Sequence, residues 1–132
     1  MWARLDDALL DHPKISIAGA ALGRNGRAVA LGFYTVGLLW TQKHLTDGFL
    51  PQTVVAAFPH VDHPLRVAEV FVDARLWDAV PSKLNGHVAG FQIHDFHDFN
   101  PLAAEVRAKR DHIKTVRTAA GKHGARMRWH KV

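Results

Sequence analysis

A chain of 132 residues, 48% apolar, 22% charged and with a formal net charge of +5, is long enough for one domain with a tail and too short for two full domains. It contains no cysteine, which excludes disulfide scaffolds and thiolate metal sites and points to a reducing compartment. The most apolar stretch, Ala28 to Trp40, is too short to cross a bilayer, and the first residues lack the basic start and apolar continuation of a signal peptide. The expectation is a soluble cytoplasmic protein with no membrane partner.

In chain order, Asp11-His12-Pro13-Lys14 reads as a turn feeding a short helix, Ile15 to Leu22, and Gly23-Arg24-Asn25-Gly26 breaks it. A long helix from about Arg27 to His44 follows. Val29, Phe33, Val36 and Trp40 recur at helical spacing, and Leu31, Leu38 and Leu39 widen the stripe. Gly32 and Gly37 weaken this helix by about 1 kcal/mol each and allow close packing. Thr46-Asp47-Gly48 is a turn, Phe49-Leu50 a minimal strand, and Pro51 suits the start of a helix over 52–58. Pro64 opens the next helix, in which Leu65, Ala68, Val72 and Leu76 share a face and which ends near Trp77.

The pattern then changes to strands. Trp77 to Val80 is a candidate strand. Asn85-Gly86 is a strong signal for a two-residue hairpin turn, in which both residues take positive φ. In the following strand, His87 to His94, Ala89, Phe91 and Ile93 are expected on one face. Asn100-Pro101 caps a last helix from Leu102 to about Ala120, which Gly121 and Gly124 end, leaving residues 122–132 as a disordered tail.

The order helix, minimal strand, helix, helix, strand, hairpin, strand, helix is that of a winged helix-turn-helix. The expected class is α+β, mainly helical, with an extra N-terminal helix and a basic C-terminal helix and tail. A winged-helix-like domain is expected over 1–101 and the basic segment over 102–132. Charge divides in the same way: residues 1–101 carry eight Lys/Arg against ten Asp/Glu, a net of −2, and residues 102–132 carry nine against two, a net of +7. Such a block is attracted to polyanions, and in cytoplasm nucleic acid is the commonest.

Several local strings carry a resemblance. They are Arg4-Leu5-Asp6-Asp7 with Asp11-His12-Pro13-Lys14, then residues 44–51 (HLTDGFLP), Ala74-Arg75-Leu76-Trp77, residues 90–101 (GFQIHDFHDFNP) and residues 105–110 (EVRAKR). In these the chain resembles the N-terminal winged-helix domain of phage and prophage proteins of replication-initiation or replisome-organiser type. The resemblance implies a winged helix acting in phage DNA metabolism within the bacterial host cytoplasm. It leaves room for a homodimer or a replication-protein partner. The chain departs from the pattern in its Gly- and Arg-rich stretch at 23–27 and in having a basic tail where longer relatives carry a further region.

In a winged helix the helix 64–77 would enter the major groove, where Arg66 and Arg75 could reach base edges. Glu69 and Asp73 on that helix have the wrong sign for phosphates. At the hairpin tip Lys83, Asn85 and His87 would cluster as a wing touching the backbone or minor groove. In the tail, Arg107, Lys109, Arg110, Lys114, Arg117, Lys122, Arg126, Arg128 and Lys131 are interspersed with His112, His123, His130 and Trp129. They would bind phosphates, duplex DNA first, without reading sequence, and about five phosphate contacts would give a log-log salt slope of about −4 to −5.

A second class of function is a protein-interaction module, adaptor or dimerisation domain, in which an exposed row of Val67, Val70 and Phe71 on helix 64–77 docks a partner and the tail meets an acidic surface. The third is a metal-dependent nuclease, which needs His94, His97 and Asp98 to converge. Against it, His94 and Asp95 on an extended strand point to opposite faces, and no His-Glu-x-x-His helix is present. The His-Asp-Phe string is expected instead to satisfy backbone groups, with Phe96 and Phe99 in the core. No serine sits in a nucleophile-elbow context and no phosphate-cradling loop is present, so neither an enzyme nor a cofactor is expected.

Overall fold

The computed structural model of the chain describes residue 5, residues 7–96 and residues 103–129, with side chains as far as residue 124. Phe99, the Asn100-Pro101 cap, His97, Asp98 and Lys131 lie outside the described residues, as do the side chains of Arg126, Arg128 and Trp129. The chain divides into two compact units, 1–100 and 101–132.

The first unit begins with a 3-10 turn, Asp7–Asp11, and helix α1, Pro13–Ala21. His12 is the N-cap of α1: its Nδ1 accepts a hydrogen bond from the Lys14 amide at 3.1 Å, while Pro13 fills a first-turn position that needs no donor. Helix α2, Gly26–His44, starts after Asn25 in the left-handed region and ends at Leu45, also left-handed. There the Thr46 amide donates back to the Thr41 carbonyl, five residues earlier, which closes the helix end. Strand β1, Phe49–Pro51, runs into the short helix α3, Gln52–Ala56, and helix α4, Pro64–Asp73, follows. Strands β2, Trp77–Pro81, and β3, Val88–Ile93, complete a three-stranded antiparallel sheet of order β1-β3-β2. The architecture is α+β and mainly helical.

The core is aromatic. Phe33 on α2, Phe58 after α3, Phe71 on α4, Trp77 on β2 and Phe91 on β3 are all buried, and adjacent rings in this chain lie 5.0–5.8 Å apart. Edge and tilted ring packing of this kind adds to the area buried. Against this core, a Cβ on Gly37 would sit 2.7 Å from Trp77 Cζ2, so the bare backbone of α2 is the seat of the indole ring. Gly32 has open space around it and plays no such part. The buried face of α2 is centred on Ala30, Phe33, Gly37, Leu38 and Thr41, with Val29, Val36 and Trp40 only half-buried at its flank and Leu39 exposed.

Several boundaries, and the facing of one strand residue, differ from the sequence expectation. Helix α3 stops at Ala56, and Pro51, expected to open it, still belongs to β1. Helix α4 ends at Asp73, not near Trp77, because Arg75 turns left-handed (φ 61°) and the Leu76 amide donates to the Phe71 carbonyl at 2.9 Å. Leu76 is then buried as the apolar residue that folds back over the helix end, the position that mimicked another helical turn. The Asn85-Gly86 pair does not form a two-residue hairpin: only Gly86 has positive φ, and the connection runs over six residues, 82–87. A register shift at Val80/Pro81 puts Ala89 on the exposed side while Phe91 and Ile93 stay buried.

The second unit is one helix, α5, Ala103–Trp129. It passes through Gly121 and Gly124 without ending, so the backbone over 122–129 is helical and not a disordered tail. Each glycine costs about 1 kcal/mol against alanine, too little to stop a helix in the absence of proline or a left-handed residue. No helix among the described residues is long and apolar enough to cross a membrane.

Candidate nucleic-acid interface

Three surfaces carry the residues expected to meet nucleic acid. The first is α4. It buries Val67, Ala68 and Phe71 against the aromatic core and leaves Arg66, Glu69 and Asp73 exposed. Val70 is half-buried. The row Val67, Val70, Phe71 is therefore part of the core side of α4 and not an exposed docking row. Arg75 is exposed but stands outside the helix, two residues beyond its last turn, and its carbonyl accepts a hydrogen bond from Lys14 Nζ at 3.1 Å. A base-reading pair of Arg66 and Arg75 on one helix does not exist. The exposed face that remains, one arginine with two carboxylates, is net negative.

The second surface is the hairpin tip. Lys83, Asn85 and His87 are brought together on the 82–87 loop, all exposed. The loop is fastened from within. The Ser82 amide donates to the His87 carbonyl at 2.6 Å and the Gly86 amide to the Ser82 carbonyl at 3.3 Å. The Leu84 amide donates to Ser82 Oγ at 3.3 Å, and the His87 amide to Asn85 Oδ1 at 3.1 Å. Asn85 thus spends its carbonyl oxygen on the loop, leaving Lys83 as the cation of the tip. Leu84, which sequence reasoning passed over, is 96% exposed between them. An isolated leucine inside a turn was the available signal.

The third surface is α5. At about 100° per residue, Arg107, Arg110, Lys114 and Arg117 fall in one row with steps of three and four residues, and all four are exposed. The row spans about 15 Å of helix axis. Over that length a DNA duplex presents about nine phosphate charges. Lys109 and Lys122 are exposed on other faces of α5. Asp111 stands one turn from Arg107 and from Lys114, beside the row and not within it. Ile113 and Val116 form a partly exposed apolar strip on the opposite flank. The sequence pointed to a basic helix from Leu102 to about Ala120; in the structure the helix Ala103–Trp129 carries four of its cations as an exposed row.

The histidine–carboxylate string behaves differently from expectation. His94 lies just past β3, where its amide donates to the Leu76 carbonyl at 3.1 Å. Asp95 has φ 53°, so the chain turns and the two side chains meet instead of diverging. His94 Nδ1 is 3.0 Å from Asp78 Oδ2 on β2, and its Nε2 is 3.3 Å from Asp95 Oδ2. The ring ties the end of β3 to the start of β2. Phe96 is buried, as expected, against Gly48. Among the described residues no group of three His, Asp or Glu side chains is arranged to hold a metal ion.

The chain matches no protein-family model, no curated protein and no solved structure.

Proposed function

We propose that this chain is a nucleic-acid-binding protein of winged helix-turn-helix type, with duplex DNA as its main ligand. The observation that carries this is the exposed row Arg107, Arg110, Lys114, Arg117 on α5, a regular line of cations in a chain whose other unit has a net negative charge. Such a row gives affinity without sequence preference, because it meets phosphates and no base edges. The winged-helix assignment is supported by the order α2-β1-α3-α4-β2-β3 and by a sheet in which β3 lies between β1 and β2. In this assignment α1 is the extra N-terminal helix, the 82–87 loop is the wing and α5 is the basic C-terminal helix. A role in phage or prophage DNA replication or transcription control rests on the family resemblance and on the binding chemistry together.

The acidic exposed face of α4 argues that this helix contributes little to base reading. The alternative of a protein-docking module on α4 has against it that Val67 and Phe71 are inside the core. The test is charge reversal in the whole chain. Arg107→Glu, Arg110→Glu, Lys114→Glu and Arg117→Glu combined should weaken binding to a labelled duplex by at least about a hundredfold at low salt, since four phosphate contacts are lost and four repulsions gained. Unchanged binding by that variant would refute the role given to α5.

A further inference from the structure

We infer that the 82–87 hairpin tip carries an apolar wedge, Leu84, that enters the minor groove of duplex DNA and unstacks a base step. This rests on the nucleic-acid function proposed above and adds to it a specific mode of contact. Leu84 is the most exposed large hydrophobic side chain among the described residues, at 96%, and it is not on a loose segment. Four hydrogen bonds internal to residues 82–87 fasten the loop, and one of them holds the Leu84 amide itself against Ser82 Oγ. The loop stands on β2 and β3, and β3 is bonded on both of its sides. A side chain held out in this way is ordered before it meets a partner, so little conformational freedom is lost on contact.

The surroundings select the partner. Exposed Pro81 and Val88 extend the apolar surface at the base of the tip. Lys83 and His87 flank Leu84, and from Ala79 to Ile93 there is no carboxylate at all. A protein pocket for leucine would not require a cationic, carboxylate-free rim; a polyanion would. A single branched side chain at a narrow tip also suits the minor groove, which is only about 6 Å wide. Apolar wedges, leucine among them, enter base steps from that groove and partly unstack them. Lys83 is placed to meet a phosphate beside the opened step.

The experiment uses the whole chain and a short duplex with 2-aminopurine at a central TA step, the kind of step that opens most readily. The wild type should raise the 2-aminopurine fluorescence on binding. Leu84→Ala should abolish that rise and weaken binding by about tenfold, the order expected for losing one buried leucine contact, while leaving the salt slope unchanged. Leu84→Met should retain the rise. Lys83→Ala should keep the rise and reduce the slope by about 0.9, one phosphate contact. Equal thermal melting of the variants verifies that a surface change has left the fold intact. If wild type binds and Leu84→Ala gives the same fluorescence and affinity, the wedge is overturned while DNA binding stands. If wild type binds no duplex, both fail. Leu84-dependent capture on phosphatidylserine vesicles with no fluorescence change on DNA would also overturn the wedge.

Discussion

At the scale of single residues, packing around Trp77 leaves no room for a side chain at position 37. The indole lies where a Cβ on Gly37 would have to be, and the nearby atoms belong to a fully buried ring and to Leu50. Gly37→Ala is therefore expected to destabilise by about 1–3 kcal/mol, the range for overpacking a filled core, although alanine is the better helix former. Thermal or denaturant unfolding measures it, and a gain in stability would show that α2 can move away from β2. Tyr34, the single tyrosine, offers a second check. Burial raises its pKa above the ordinary 10.0 by disfavouring the phenolate. The unfolded chain ionises first, so the stability that Tyr34 contributes is present below pH 10 and is lost as pH rises through the folded value. A spectrophotometric titration of the native protein should place the phenolate midpoint above that of the urea-unfolded chain; coincident midpoints would contradict the buried position.

At the scale of elements, α2 and α4 end at left-handed residues that are not glycine, Leu45 and Arg75. Arg75 takes φ 61° where α4 closes, a conformation that costs an ordinary side chain roughly 1 kcal/mol or more. Arg75→Gly should then stabilise the fold by about that amount, read as an upward shift in melting temperature; destabilisation would mean that the arginine side chain holds the turn. The same residue shows where sequence pattern stopped being informative. The succession of helices and strands was legible, because Gly23–Gly26, Thr46–Gly48 and the prolines at 51 and 64 punctuate it clearly. The end of α4 was not, since Leu76 continues the helical spacing while serving as the apolar cover of a finished helix. The Asn85-Gly86 pair misled because the strands stop pairing at Pro81 and Val88, leaving a six-residue loop closed by its own hydrogen bonds in which only Gly86 takes positive φ. In α5 the opposite error arose: Gly121 and Gly124 looked like stops, yet neither takes a left-handed φ and no proline follows, so the helix runs on to Trp129.

At the scale of the whole molecule, the sequence located the cations and part of their arrangement. The basic segment was legible as a helix from Leu102 to about Ala120, and the helix Ala103–Trp129 sets Arg107, Arg110, Lys114 and Arg117, all exposed, in one line. The hairpin residues Lys83, Asn85 and His87 do share a loop, whereas Arg66 and Arg75 part company at the end of α4. The proposed DNA affinity therefore falls to the row on α5 and to Lys83, with no base-reading pair on α4. That division predicts binding strong in low salt, weak in high salt and nearly indifferent to base sequence, apart from the ease with which a step opens at the wing.

The most direct measurement is fluorescence anisotropy of a labelled duplex with the whole chain across a salt series. Four contacts from the row and one from Lys83 predict a log-log slope of about −4.5, and Arg110→Ala with Arg117→Ala should bring it to about −2.7. A slope near zero, a slope that the paired substitution leaves unchanged, or no binding at low salt would contradict the assignment of phosphate affinity to α5.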